Sequence, residues 1–87
     1  MPSSPHVADE ALPSLPAEPR AGRYRHYKGR EYRVTGLARH SETLEPLVVY
    51  QALYGERGLW VRPAAMFLET VEAGGRRVPR FARIGND

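Results

Sequence analysis

Residues 47–63 run Leu-Val-Val-Tyr-Gln-Ala-Leu-Tyr-Gly-Glu-Arg-Gly-Leu-Trp-Val-Arg-Pro. The β-branched and aromatic stretch Leu47 to Leu53 reads as a strand, and Gly55-Glu-Arg-Gly58 as a turn. Leu59 to Arg62 reads as a second strand, which Pro63 stops because proline has no N–H to continue a ladder. Alternation puts Leu59 and Val61 on one face of this strand and Trp60 and Arg62 on the other. An interior partner for Arg62 is harder to find than an exterior one, so Trp60 and Arg62 are expected to look outward.

Working outward from this hairpin, short apolar runs recur every eight to twelve residues between turn residues, the pattern of a small all-β domain. Tyr24 to Tyr27 and Glu31 to Arg39 read as the first two strands, turned at Lys28-Gly29-Arg30. In the second, Tyr32, Val34, Gly36 and Ala38 share a face, with Gly36 marking a bend or bulge. His40 to Pro46 is a polar connector. Ala64-Ala-Met-Phe67 is good helix material only one turn long, which predicts a single 3₁₀ or α turn over residues 64–67. A fifth strand is expected near Leu68 to Glu72, a tight turn at Gly74-Gly75, and an edge return over Val78 to Phe81 before the chain frays over 85–87. Five strands with a short turn before the last predict an SH3-like barrel over residues 22–84, with a bent meander of the OB type as the alternative. Ala52-Leu-Tyr-Gly55 invites comparison with the ALYDY signature of true SH3 domains. There the ligand-binding Trp lies far downstream of the signature, whereas Trp60 follows here within eight residues, so a true SH3 domain is rejected.

The chain has 87 residues and no cysteine, which excludes a large enzyme, a disulfide framework and a thiolate zinc site. No stretch approaches the roughly 18 apolar residues of a membrane helix, and the N-terminus has no signal-peptide pattern, so a cytoplasmic protein is expected. Residues 1–21 contain five of the eight prolines and few bulky apolar residues, and read as a disordered tail. Its Pro13/Pro16 and Pro16/Pro19 pairs have PxxP spacing, which any short proline-rich tail matches by chance. The charge divides along the chain: residues 1–20 are net −2 and residues 21–87 net +5, with Arg supplying twelve of the thirteen basic groups. Guanidinium suits planar contacts to phosphate or carboxylate, so an anionic partner is suggested.

Tyr24-Arg-His-Tyr-Lys-Gly29, Ala38-Arg-His-Ser-Glu-Thr-Leu-Glu-Pro-Leu-Val-Val-Tyr50, Leu53-Tyr-Gly55, Trp60-Val-Arg-Pro63, Met66-Phe67 and Pro79-Arg-Phe81 together resemble the small bacterial domain of unknown function 1653. The resemblance runs from about Gly22 to Ile84. It implies a compact, mostly β, SH3-like domain found as a stand-alone protein, and brings no established activity, catalytic residue or cofactor.

Candidate chemistry is sparse. His40-Ser41-Glu42 sets a base, a hydroxyl and a carboxylate side by side, but adjacent residues of a loop point apart, and a triad needs partners converging from separate elements. Glu42 and Glu45 have nothing closing over them to raise a pKa. His26, His40 and Glu42 form only a weak metal pattern, and a hydrogen-bonded structural histidine is the commoner outcome. No enzyme activity, metal or cofactor is expected. The stronger constellation is aromatic and basic: Tyr24, Tyr27, Tyr32, Tyr50, Tyr54 and Trp60 beside Arg25, Arg39 and Arg62. Stacking platforms beside a positive groove are what small β-barrels use to bind nucleic acid, although three or four of these aromatics are needed for the core. The expected roles are Trp60 and Tyr54 stacking, Arg62, Arg39 and Arg25 contacting phosphate or carboxylate, and His26 and His40 forming a polar rim. The alternatives are a protein or peptide partner on the same aromatic face, or a small polar ligand among Arg39, His40, Glu42 and Tyr50. For Arg39, an ion pair with Glu42 or Glu45 that orders the connector competes with ligand contact. The C-terminal Arg76, Arg77, Arg80 and Arg83 read as a solvated edge or as added phosphate contacts.

Overall fold

β1 (Gly22–His26), β2 (Glu31–Arg39), β3 (Pro46–Ala52) and β4 (Leu59–Pro63) form an antiparallel meander in the computed structural model, which describes residues 12–86. A single helical turn, α1 (Ala64–Phe67), follows Pro63. β5 (Thr70–Ala73) and β6 (Arg76–Pro79) make a separate hairpin, and β7 (Phe81–Gly85) returns antiparallel beside β1. The main sheet has the order β4-β3-β2-β1-β7.

The fold is therefore mainly β, as the alternation predicts, with seven strands in two sheets rather than five in one. The expected single return over Val78 to Phe81 divides at Arg80. The Arg80 N–H donates to the Glu69 carbonyl at 2.8 Å, tying the break to the residue before β5. Phe81 then begins β7, so Gly85, expected to fray, closes a strand. β4 and β7 each have one neighbour, so hydrogen bonding does not close the sheet into a barrel.

The register of β2 on β3 shifts between Val34 and Gly36, a bulge at the place where the lone strand glycine predicts one. Its consequence is a change of face. Val34 lies in the core, and beyond the bulge Leu37, opposite Val48, shares its face in place of Gly36 and Ala38. The core comprises Tyr24, Val34, Val48, Tyr50, Ala64, Phe67 and Phe81. α1 lays Phe67 across the inner face of the sheet, where its ring stacks on Phe81 at 4.0 Å and meets Tyr24 and Tyr50 edge-on at 5.4 and 5.6 Å.

The part of the proline-rich stretch that is described makes fixed contacts. Pro19 is fully buried, Tyr24 Oη donates to the Arg20 carbonyl at 2.8 Å, and Arg83 donates to the Ala21 carbonyl at 3.0 Å. The rest of the expected tail, residues 1–11, lies outside the described residues, as does Asp87.

Gly22 holds the β1–β7 junction. Its φ is +147°, and a Cβ there would sit 2.6 Å from the Gly85 carbonyl oxygen and 2.9 Å from the Arg83 guanidinium. Gly22→Ala is expected to cost more than about 1 kcal/mol, because both the backbone angle and the space exclude the methyl. Urea denaturation checks this, and an unchanged midpoint would contradict the close approach of β7.

Candidate ligand-binding face

Residues directly opposite in an antiparallel pair share a face. Trp60 is opposite Tyr50, and Arg62 is opposite Val48. Trp60 and Arg62 therefore lie on the inner, core-bearing face, and Leu59 and Val61 on the outer one. This reverses the expected orientation of β4. Alternation separates the two sets, but only the register on β3 decides which set faces inward. Trp60 is nonetheless exposed, at 57%, because β4 is the rim of the sheet. Arg62 is half-buried: its Nε donates to Tyr50 Oη at 3.4 Å, and its guanidinium carbon lies 5.6 Å from the Phe81 ring centroid. No carboxylate partners it among the described residues.

From Arg62 the aromatic surface continues across the sheet. Tyr50 meets Tyr32 edge-on at 5.4 Å, and Tyr32 meets Tyr54 at 5.5 Å with their hydroxyls 2.8 Å apart. The Arg30 guanidinium lies 4.4 Å over the Tyr54 ring, a cation–π contact at the exposed end of the row. Burial and the Tyr54 hydrogen bond push the Tyr32 hydroxyl up to about 12. The Tyr54 hydroxyl is drawn below the usual tyrosine value by that hydrogen bond and by Arg30, so Tyr54 is the member of the pair that ionises first.

His26 forms the other end of the inner face, 4.9 Å from Phe81 edge-on and 4.6 Å from the Tyr27 ring. Its Nδ1 accepts the Lys28 N–H at 3.1 Å, leaving Nε2 to carry the ring proton. Burial first, then the charges of Arg62, Arg80 and Lys28, hold its pKa below the ordinary histidine value. The unfolded chain thus takes up this proton before the native one. Stability present above pH about 6.5 is expected to fall as pH drops below it, toward the depressed native value. Urea titrations from pH 7.5 to 5 check the sign, and His26→Gln is expected to flatten the dependence.

The remaining candidates lie elsewhere. Arg25 is on the outer face, paired with Glu31 at 3.2 Å. Arg39 ends β2, at the far end from Tyr32, and donates to the Pro13 carbonyl rather than to Glu42 or Glu45. His40 organises its own connector: Nδ1 accepts the N–H of Glu42 at 3.0 Å and of Thr43 at 3.3 Å, and its carbonyl accepts from Leu44 at 2.9 Å. Glu42 is exposed in that turn. The structure thus brings together Tyr50, Tyr54, Trp60, Arg62 and His26, and sets apart Arg25, Arg39, His40 and Glu42. It adds Arg30 and Phe81, and it draws Tyr32, one of the aromatics noted in the sequence, into the row. Arg30 sits in a turn whose path is not encoded in alternation, and Phe81 reaches the site only through the long-range pairing of β7 with β1.

Among the described residues no three His, Asp or Glu side chains converge as metal ligands, and no helix is long and apolar enough to cross a membrane. The family model described as a protein of unknown function (DUF1653) matches residues 22–83. The chain belongs to the DUF1653 family. A crystal structure of a DUF1653 protein from Bordetella bronchiseptica is 44% identical to this chain, spans 80% of it and 92% of its own length, and superimposes with a TM-score of 0.74. No curated protein matches. The DUF1653 region begins at Gly22 and ends at Arg83, so it takes in the whole inner face from His26 to Arg62.

Proposed function

We propose that the inner face of this DUF1653 domain binds single-stranded nucleic acid, without catalysis, on an open SH3-like sheet. The last strand of the main sheet returns beside the first and a helical turn follows the fourth, which supports that description of the fold.

Arg62 carries the functional reading. A half-buried guanidinium without a carboxylate is costly unless an anion completes it. Here the neighbours are a tyrosine hydroxyl, a phenyl ring and a histidine held toward its neutral form, none of which neutralises the charge. Trp60 lies beside it on the same face with its indole open to solvent. A phosphate on Arg62 leaves the adjoining base within reach of Trp60, and the exposed Tyr54–Arg30 pair repeats the combination of ring and cation across the sheet.

Trp60 is the sole tryptophan, so intrinsic fluorescence reports its contacts directly. Titration with a mixed-sequence single-stranded oligonucleotide at low salt is expected to quench it, and added salt to restore it. No quenching at low salt would overturn the assignment. Quenching by apolar peptides that salt leaves unchanged would move it to a protein-binding face.

A further inference from the structure

We infer that β4 pairs antiparallel with β4 of a second copy of this chain, joining two main sheets edge to edge about a two-fold axis at Val61. The inference does not rest on the nucleic-acid reading, although it engages the same two side chains of β4, Trp60 and Arg62.

The backbone of β4 carries it. The Ala52 N–H donates to the Gly58 carbonyl at 3.0 Å, which continues the β3–β4 register by one pair. Hydrogen-bonded and non-hydrogen-bonded pairs alternate in an antiparallel ladder. Gly58, Trp60 and Arg62 therefore bond to β3, whereas Leu59, Val61 and Pro63 direct their backbone groups away from the sheet. Pro63 is the one position where an outward N–H is missing. The free rim thus offers the N–H and C=O of Leu59 and Val61, while the Pro63 C=O, at the N-cap of α1, already accepts the first bond of that turn.

A second β4 matches this set when Val61 lies on the axis. Val61 of each copy then exchanges both backbone bonds with Val61 of the other, and the Leu59 N–H of each lies opposite the second lone pair of the Pro63 carbonyl of the other. Pro63 has no N–H for the Leu59 carbonyl opposite it, so that one acceptor of each copy is left to solvent. The side chains agree with the same register. Leu59 and Val61, 68% and 60% exposed in the single chain, join their counterparts as one apolar strip on the outer face. On the inner face Trp60 of each copy lies opposite Arg62 of the other, a pairing suited to cation–π contact.

Apart from Pro63, β4 also lacks the usual protection of a sheet edge. It has no lysine and no bulge against β3, and its only charge, Arg62, lies over the core rather than beside the rim.

Light scattering after size exclusion, over a range of concentrations, tests the pairing. The wild-type chain is expected to approach twice the monomer mass, and Val61→Lys, which sets two ammonium groups on the axis, to remain at one. Val61→Cys decides the case if the lysine variant fails to fold. The chain has no other cysteine, and directly paired positions place the Cα atoms about 5.5 Å apart, within disulfide reach. Mild oxidation is expected to convert Val61→Cys to a covalent dimer while Leu68→Cys, exposed on another surface, stays monomeric. A monomer mass at every concentration, or no covalent dimer from Val61→Cys, would overturn the inference.

Discussion

Phe67→Ala is expected to cost about 3–5 kcal/mol, the usual range for emptying a fully buried aromatic site. Phe67 is 1% exposed and touches three other core rings, including the stacked contact on Phe81. It is also the only buried ring that α1 contributes, so the truncated turn loses its hold on the sheet. A domain of this size has only about 5–15 kcal/mol in total, and the urea midpoint should fall by on the order of 2 M. Met66→Ala and Leu68→Ala, on the exposed side of the same turn, are expected to stay within about 0.5 kcal/mol of wild type. Equal losses at all three positions would contradict the placement of Phe67.

Trp60→Ala is expected to weaken oligonucleotide binding by about 1–3 kcal/mol, roughly 5- to 150-fold, with little change in stability because the indole is mostly exposed. Arg62→Ala acts through a different signature. Losing one phosphate contact should reduce the slope of log affinity against log salt by about 0.7. The two variants therefore separate stacking from charge: Trp60→Ala lowers affinity at every salt concentration, and Arg62→Ala loses most at low salt. An Arg62→Ala protein with the wild-type slope would remove that side chain from the phosphate path.

The sequence exposes some of this and conceals the rest for identifiable reasons. β2 over residues 31–39 and the turn over 64–67 match their expected bounds, because Lys28-Gly29-Arg30, His40 and Pro63 are strong local punctuation. The bulge beside Gly36 is likewise local chemistry. What alternation cannot supply is phase. It groups Trp60 with Arg62 correctly, yet their inward face depends on pairing with Tyr50 and Val48. The same limit hides Phe81, which lies two residues after an edge proline but packs at the centre of the aromatic surface once β7 joins β1. Arg25 and Arg39 show the converse: both are basic and stand on strands that also carry tyrosines, and the fold commits one to Glu31 and the other to the Pro13 carbonyl. Local residue type signals the capacity to bind, and register decides which side chains share a surface.

The binding claim is tested most directly by amide chemical-shift mapping of the isotope-labelled protein with a single-stranded oligonucleotide, at low and then physiological salt. Shifts are expected at Trp60, Arg62, Tyr54 and Arg30, fading together as salt rises. No shifts at low salt, or shifts confined to the His40–Glu45 connector, would contradict it.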